Sequence, residues 1–234
     1  MLKRSVWIFA LMAVCLLCSC SPAEKTKIDV NTKEYETDYL KVTAQTIEFK
    51  GLSDTAFETQ LNDEYQTQVY QWIADFDSEA QANAAAQRMG EKYVFELTQN
   101  TRYNKNNFVS MVSESYLFTG GAHGSSGWVS KNIDVAENKE VTLADLFTDP
   151  EYQTQLNRKL AECVTKNPQE YQDLWEQPVL GEAQQKDFYI EDGKLVIYYQ
   201  PYELSYYARG VVEFPIKLEE VESYMNPLYR KLAM

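Results

Sequence analysis

The feature that most constrains this chain is a change of hydrophobic period that never settles into regular alternation of strand and helix. Phe57, Leu61, Tyr65, Val69, Trp72, Ile73 and Phe76 recur at spacings of three and four, the pattern of a helix burying one face. The alanine-rich stretch from Ala80 to Met89 extends that helix to Gly90. Ahead of it, residues 41–49 read as a strand. Behind it, residues 92–98 and 108–118 read as strands flanking the turn-rich segment 100–107, which predicts a hairpin. A glycine-rich corner at 119–127 leads to a third strand at 128–135. Thr142 reads as the cap of a short helix at 143–147. Asp149-Pro150 opens a further helix that sets Tyr152, Leu156, Leu160, Cys163 and Val164 on one face, with Asn167-Pro168 as its end. Residues 188–191 and 195–199 surround Asp192-Gly193, a pair suited to the mirror-image turns of tight hairpins. A strand at 211–216 and a short acidic helix at 218–224 complete the order. Such an order predicts an α+β fold: an antiparallel β-sheet with helices packed on one side.

Cysteine placement bounds what can hold the fold together. Three of the four cysteines lie in the first twenty residues, where Lys3 and Arg4 precede an apolar run from Val6 to Leu17. That run is shorter than the roughly 18–20 residues needed to span a bilayer, so it reads as a removable export signal. It ends in Leu17-Cys18-Ser19-Cys20, which resembles the lipobox of bacterial lipoproteins and makes Cys20 the expected lipidated residue. Acylation would tether the protein to a membrane, since each buried methylene contributes about 0.8 kcal/mol. Only Cys163 then remains, no internal disulfide can form, and the fold must rest on its core.

The expected organisation is a signal at 1–19, lipidated Cys20 and a polar tether to 27, a strand-helix-hairpin region at 28–109, an α+β domain at 110–224 and a tail at 225–234. The expected location is the cell envelope: a periplasmic or outer-membrane face, or the surface of a cell with one membrane. Cleavage before Cys20 removes two basic residues and no acidic ones, deepening the net charge of −13 to about −15. An acidic body of this kind excludes nucleic acid as a partner and attracts basic proteins, although acidity also serves plain solubility.

No catalytic signature emerges. His123 is the only histidine, too few for a zinc site built from His and Cys, and no Asp-x-Asp-x-Asp-Gly loop suggests calcium. No metal or cofactor is expected. Cys163 falls on an apolar helix face, which reads as a buried, inert thiol. Carboxylate pairs for glycan hydrolysis are a matter of spatial arrangement, so an envelope glycan hydrolase stays open as an alternative, as does a glycan-binding module.

Two stretches stand out. In the first, Gly120, Gly121 and Gly124 surround His123; it reads as a tight corner or as a loop presenting His123 and bare backbone to a ligand. The second runs from Tyr199 to Gly210 and carries Tyr202, Glu203, Tyr206, Tyr207 and Arg209, side chains that suit an interface, a sugar or a sheet edge. These nine residues, from Gly120 to Arg209, are the candidate ligand-binding set.

Together the two stretches resemble a known family. The matching residues are Tyr116 and Phe118 to Gly124, then Asn132-Ile133-Asp134, Leu143, Leu146 and Phe147; later come Phe188-Tyr189, Leu195-Val196, Tyr199 to Glu203, Ala208, Gly210 and Phe214-Pro215-Ile216. They are similar to the domain of unassigned function in the extracellular part of lysozyme-sensing anti-sigma factors and beside the catalytic domain of some peptidoglycan deacetylases. The resemblance covers roughly residues 110–220. It implies a noncatalytic α+β envelope domain and, from the anti-sigma members, a basic envelope-active partner such as a lysozyme. Neither sigma regulation nor deacetylation carries over, because this chain shows no cytoplasmic sigma-binding segment and no deacetylase catalytic domain.

Overall fold

The computed structural model describes residues 25–84 and 91–233. The export signal, Cys20 and the end of the alanine-rich helix lie outside these residues. The fold is α+β, as expected, and is built on two sheets. The larger contains β1 (Lys27–Glu36), β2 (Leu40–Lys50), β3 (Tyr93–Lys105), β4 (Phe108–Phe118), β5 (Ser125–Asp134) and β6 (Lys139–Glu140), side by side in chain order. Its neighbours are antiparallel except β2 and β3, which run parallel because α1 (Thr55–Asn83) carries the chain back between them. The smaller sheet is antiparallel, with β7 (Phe188–Glu191), β8 (Lys194–Tyr199) and β9 (Val212–Lys217) in order. Between the sheets in sequence lies α2 (Tyr152–Lys166).

Strand alternation fixes the layers. On β4, Val109 and Met111 pack with Leu61 and Tyr65 of α1, whereas Val112 on the opposite face meets Tyr189, Val196 and Tyr198 of the smaller sheet. On β8, Leu195, Ile197 and Tyr199 turn the other way, toward Leu156 and Leu160 of α2. The layers therefore run α1, large sheet, small sheet, α2. Each sheet has its helix on one face and the other sheet on its second face.

A buried polar joint ties the two sheets together. The Ile190 backbone N–H donates to Ser110 Oγ (2.9 Å), Ser110 Oγ donates to Asn132 Oδ1 (2.6 Å), and Asn132 Nδ2 donates to the Phe188 carbonyl (2.9 Å). All partners are satisfied, the condition under which buried polar groups hold a unique packing.

Several local expectations are revised. β1 occupies residues for which the sequence pattern marks no element, because it is largely exposed and shows no apolar alternation. β3 continues to Lys105, so the turn shrinks to Asn106-Asn107, both with positive φ (56° and 57°). A bulge between Thr101 and Tyr103 disguises that strand. It switches Tyr103 to the Phe108 side, where the rings meet edge-on at 6.3 Å. β5 begins three residues early, at Ser125. Thr142 does not cap the turn Ala144–Leu146; the Asp145 carboxylate instead accepts from Thr142 N (2.8 Å) and Oγ1 (2.7 Å). Residues 218–224 form two 3-10 turns, Leu218–Glu220 and Glu222–Tyr224. Asp192 and Gly193 do make the mirror-image turn, at φ 47° and 70°.

Candidate functional site

The loop leaving β8 starts with a turn, Gln200-Pro201-Tyr202-Glu203. Proline presets its position, Glu203 N–H donates back to the Gln200 carbonyl (3.0 Å), and Tyr202 takes φ +73° at the place where such turns favour glycine. For a bulky residue that conformation costs about 1–2 kcal/mol. Tyr202 is 58% exposed, so burial offsets little of the strain. The turn is held by its own side chains. Glu203 Oε2 accepts from Gln200 N–H (2.6 Å). The Gln200 amide pairs with the β5 edge, accepting from Trp128 N–H (3.0 Å) and donating to the Trp128 carbonyl (2.8 Å). Trp175 N–H donates to the Leu204 carbonyl (2.9 Å), and Ser205 Oγ donates to the Asp173 carbonyl (3.0 Å), so residues 173–179 brace the loop from the other side.

The glycine corner reaches the same surface. Gly120 and Gly121 both have positive φ (91° and 97°), which lets the chain reverse after β4. Gly124 is required by closeness: a Cβ there would lie 2.5 Å from the Tyr116 ring and 2.6 Å from the Leu117 carbonyl. This tight packing sets His123 outward, with its ring stacked on Tyr207 (centroids 4.6 Å, 18° between planes). His123 Nδ1 lies 2.8 Å from the Gly124 carbonyl. A proton on Nδ1 completes that bond and leaves Nε2 as an acceptor in the neutral ring. Tyr207 also meets the Tyr202 ring at 5.5 Å, and its hydroxyl lies 3.4 Å from Ser126 Oγ.

The two candidate stretches, about eighty residues apart in sequence, thus meet in one aromatic surface made of His123, Tyr207 and Tyr202, with Tyr206 half-exposed on the same loop. Arg209 turns aside: its Nε lies 3.6 Å from Asp173 Oδ1 and its Nη2 donates to the Glu170 carbonyl (3.0 Å). Gly120 and Gly121 shape the corner. Trp175 and Val179, each 62% exposed, lie on the bracing segment beside the loop and were not among the candidate residues. Nothing in an isolated Trp or Val reports its exposure, so only the fold could place them there.

The electrostatics are acidic. Asp173, Glu176 and Glu203 lie on the two segments, with Glu170 just ahead of them, against a single arginine. Burial pushes the Asp187 carboxyl up to about 6, and nearby Glu203 adds to the rise against hydrogen bonds from Gln200 and Tyr198. Cys163 lies away from this surface, its thiol 3.7 Å from the Pro215 carbonyl and pushed up by burial, the opposite of an activated nucleophile. Among the described residues no group of three or more His, Cys, Asp or Glu is placed to hold a metal ion. Among them, too, no helix is long and apolar enough to cross a membrane.

Comparison with known proteins matches two adjoining parts of the chain. Residues 33–126 match the family described as Deacetylase PdaC, and residues 144–219 match the family described as Protein of unknown function (DUF3298). A DUF3298 family member from Bacteroides fragilis NCTC 9343 superposes with a TM-score of 0.65 at 16% identity, covering 89% of this chain and 97% of that one. A DUF3298 family protein from Pseudomonas aeruginosa PAO1 gives 0.63 at 17% identity, covering 88% and 97%. No curated protein matches the sequence. The resemblance seen in the sequence is borne out, and the two solved structures share the fold over nearly their whole length. The glycine corner falls in the first matched segment and the tyrosine loop in the second, so the aromatic surface forms where the two meet.

Proposed function

We propose, from the premise that this chain joins a PdaC-type segment to a DUF3298 segment, that it is a noncatalytic binding domain tethered to the cell envelope through Cys20. Its proposed partner is a basic envelope-active protein of the lysozyme kind. The carrying observation is the His123–Tyr207–Tyr202 ring cluster, with His123 stacked on Tyr207 and Tyr202 tilted against it, which joins two distant segments into one aromatic face. Exposed aromatics on a braced scaffold suit protein recognition, because they offer large contact area at small entropic cost. The acidic residues around them suit a basic partner, whose approach a long-range negative field accelerates.

The strained Tyr202 supports the same reading. A positive φ at a bulky, largely exposed residue costs stability, and such strain clusters at functional surfaces. The test is calorimetric titration of the full chain with a basic lysozyme at low salt. A saturable complex is expected, weakened roughly tenfold or more by Tyr207→Ala, the size of a central interface aromatic. Absence of any complex at low salt would remove lysozyme as the partner. The anchor is tested separately by mass analysis of the protein from its native cells, where an acylated Cys20 terminus is expected.

A further inference from the structure

On the far side of the molecule, α1 crosses the large sheet obliquely. Its first half, through Leu61 and Tyr65, packs on Val109, Met111 and Ile133 of β4 and β5. Its second half, through Val69, Ile73, Phe76 and Ala80, packs on β2 and β3 instead. The helix therefore leaves β4 and β5 as it runs, and the later part of β4 stays uncovered on this face. There the strand changes from Val109 and Met111 to Ser113 and Ser115, whose β5 partners are Val129 and Gly127. Small residues at these positions leave a cavity of about 380 Å³, within the range of small-molecule sites.

One wall is a stripe of α1: Trp72, Asp75, Phe76 and Glu79, spaced to share a face. The apolar remainder includes Leu97, Leu117 and Val129, the last 40% exposed. The two hydroxyls on the floor are already engaged, Ser113 Oγ donating to Gln99 Oε1 (2.7 Å) and Ser115 Oγ to the Gly127 carbonyl (3.0 Å). The carboxylates are different. Asp75 and Glu79 are four residues apart, where like charges destabilise a helix. Asp75 accepts from the neutral Gln71 amide (2.7 Å), and among the described residues no ion pair engages either acid. Lys131 lines the adjoining hollow with Asp63, Glu64 and Asp75, and its ammonium pairs with Glu140 (3.5 Å).

A largely apolar cavity, its floor hydroxyls already engaged, beside two carboxylates without an ion pair defines a ligand by charge and shape. We propose that this cavity binds a small organic cation with an apolar body, of the arylalkylammonium class. The body lies against Trp72, Phe76, Leu117 and Val129, and the ammonium lies between Asp75 and Glu79. An anionic ligand of the same shape is repelled. The site is separate from the aromatic surface and independent of any protein partner bound there.

The probes are 4-phenylbutylammonium, 4-phenylbutanol and 4-phenylbutyrate, titrated into the full chain and followed by ligand-detected NMR. The ammonium is expected to saturate, the alcohol to bind more weakly and the carboxylate not to bind. Asp75→Asn and Glu79→Gln are each expected to weaken the ammonium about threefold, and together roughly tenfold, as for partly exposed charge contacts. These polar swaps on an exposed helix face leave the fold intact. Val129→Trp fills the cavity from its open side and should abolish binding of both ammonium and alcohol. Equal binding of ammonium and carboxylate, no saturation by the ammonium, or capture of a lysine-rich peptide with no response to the small amine would each overturn the proposal.

Discussion

At the scale of single residues, the most informative position is Tyr202. Its φ of +73° is a glycine conformation occupied by an exposed tyrosine. Tyr202→Gly is expected to raise unfolding stability by about 1 kcal/mol, read by denaturant midpoint, while weakening lysozyme binding. A variant that loses stability, or binds unchanged, would separate the strain from recognition. Asp187 offers a second handle. Its folded carboxyl titrates at about 6, above the ordinary value near 4, so the native state binds the proton more tightly than the unfolded chain. The stability this confers is full below about pH 4 and is lost as pH rises through about 6. Asp187→Asn should therefore stabilise the protein near pH 7, by about 1 kcal/mol once solvent screening of a half-exposed group is allowed for, and do little at pH 4. Thermal melts at the two pH values check this.

At the scale of elements, the joint between the sheets carries much of the architecture. Asn132→Ala leaves the Phe188 carbonyl without its donor and Ser110 without its acceptor, both buried, and is expected to cost about 2–4 kcal/mol in denaturant unfolding. What was legible in the sequence follows the same physics. α1, α2 and the Asp192-Gly193 hairpin stood out because a buried stripe or a special turn leaves a local signature. β1 and the second half of β3 left none, since an exposed edge strand need not alternate and a bulge breaks the period. The parallel pairing of β2 with β3, and the separation into two sheets, depend on contacts between distant segments that no local pattern encodes. His123 and the tyrosine loop were each visible as unusual stretches; that they stack on one another was not.

At the scale of the whole molecule, charge and layering divide the labour. Four layers bury apolar clusters at three interfaces, α1 on the large sheet, sheet on sheet, and the small sheet on α2, and this leaves the loops at one edge free to carry the aromatic surface. A net charge of −13 makes any complex with a basic partner depend on ionic strength. Raising salt from low to about 0.5 M should slow association and weaken lysozyme by roughly tenfold or more, whereas a salt-independent complex would point to contacts other than charge. The central claim, that the face joining residues 119–127 to 199–210 is the recognition surface, is tested most directly by hydrogen exchange of the full chain with and without a basic lysozyme. The expected result is added protection at 119–127, 172–179 and 199–210, with α1 and β1 unchanged. Protection confined to α1, β1 or the outer face of α2, or a complex that slows no exchange in those three segments, would contradict it.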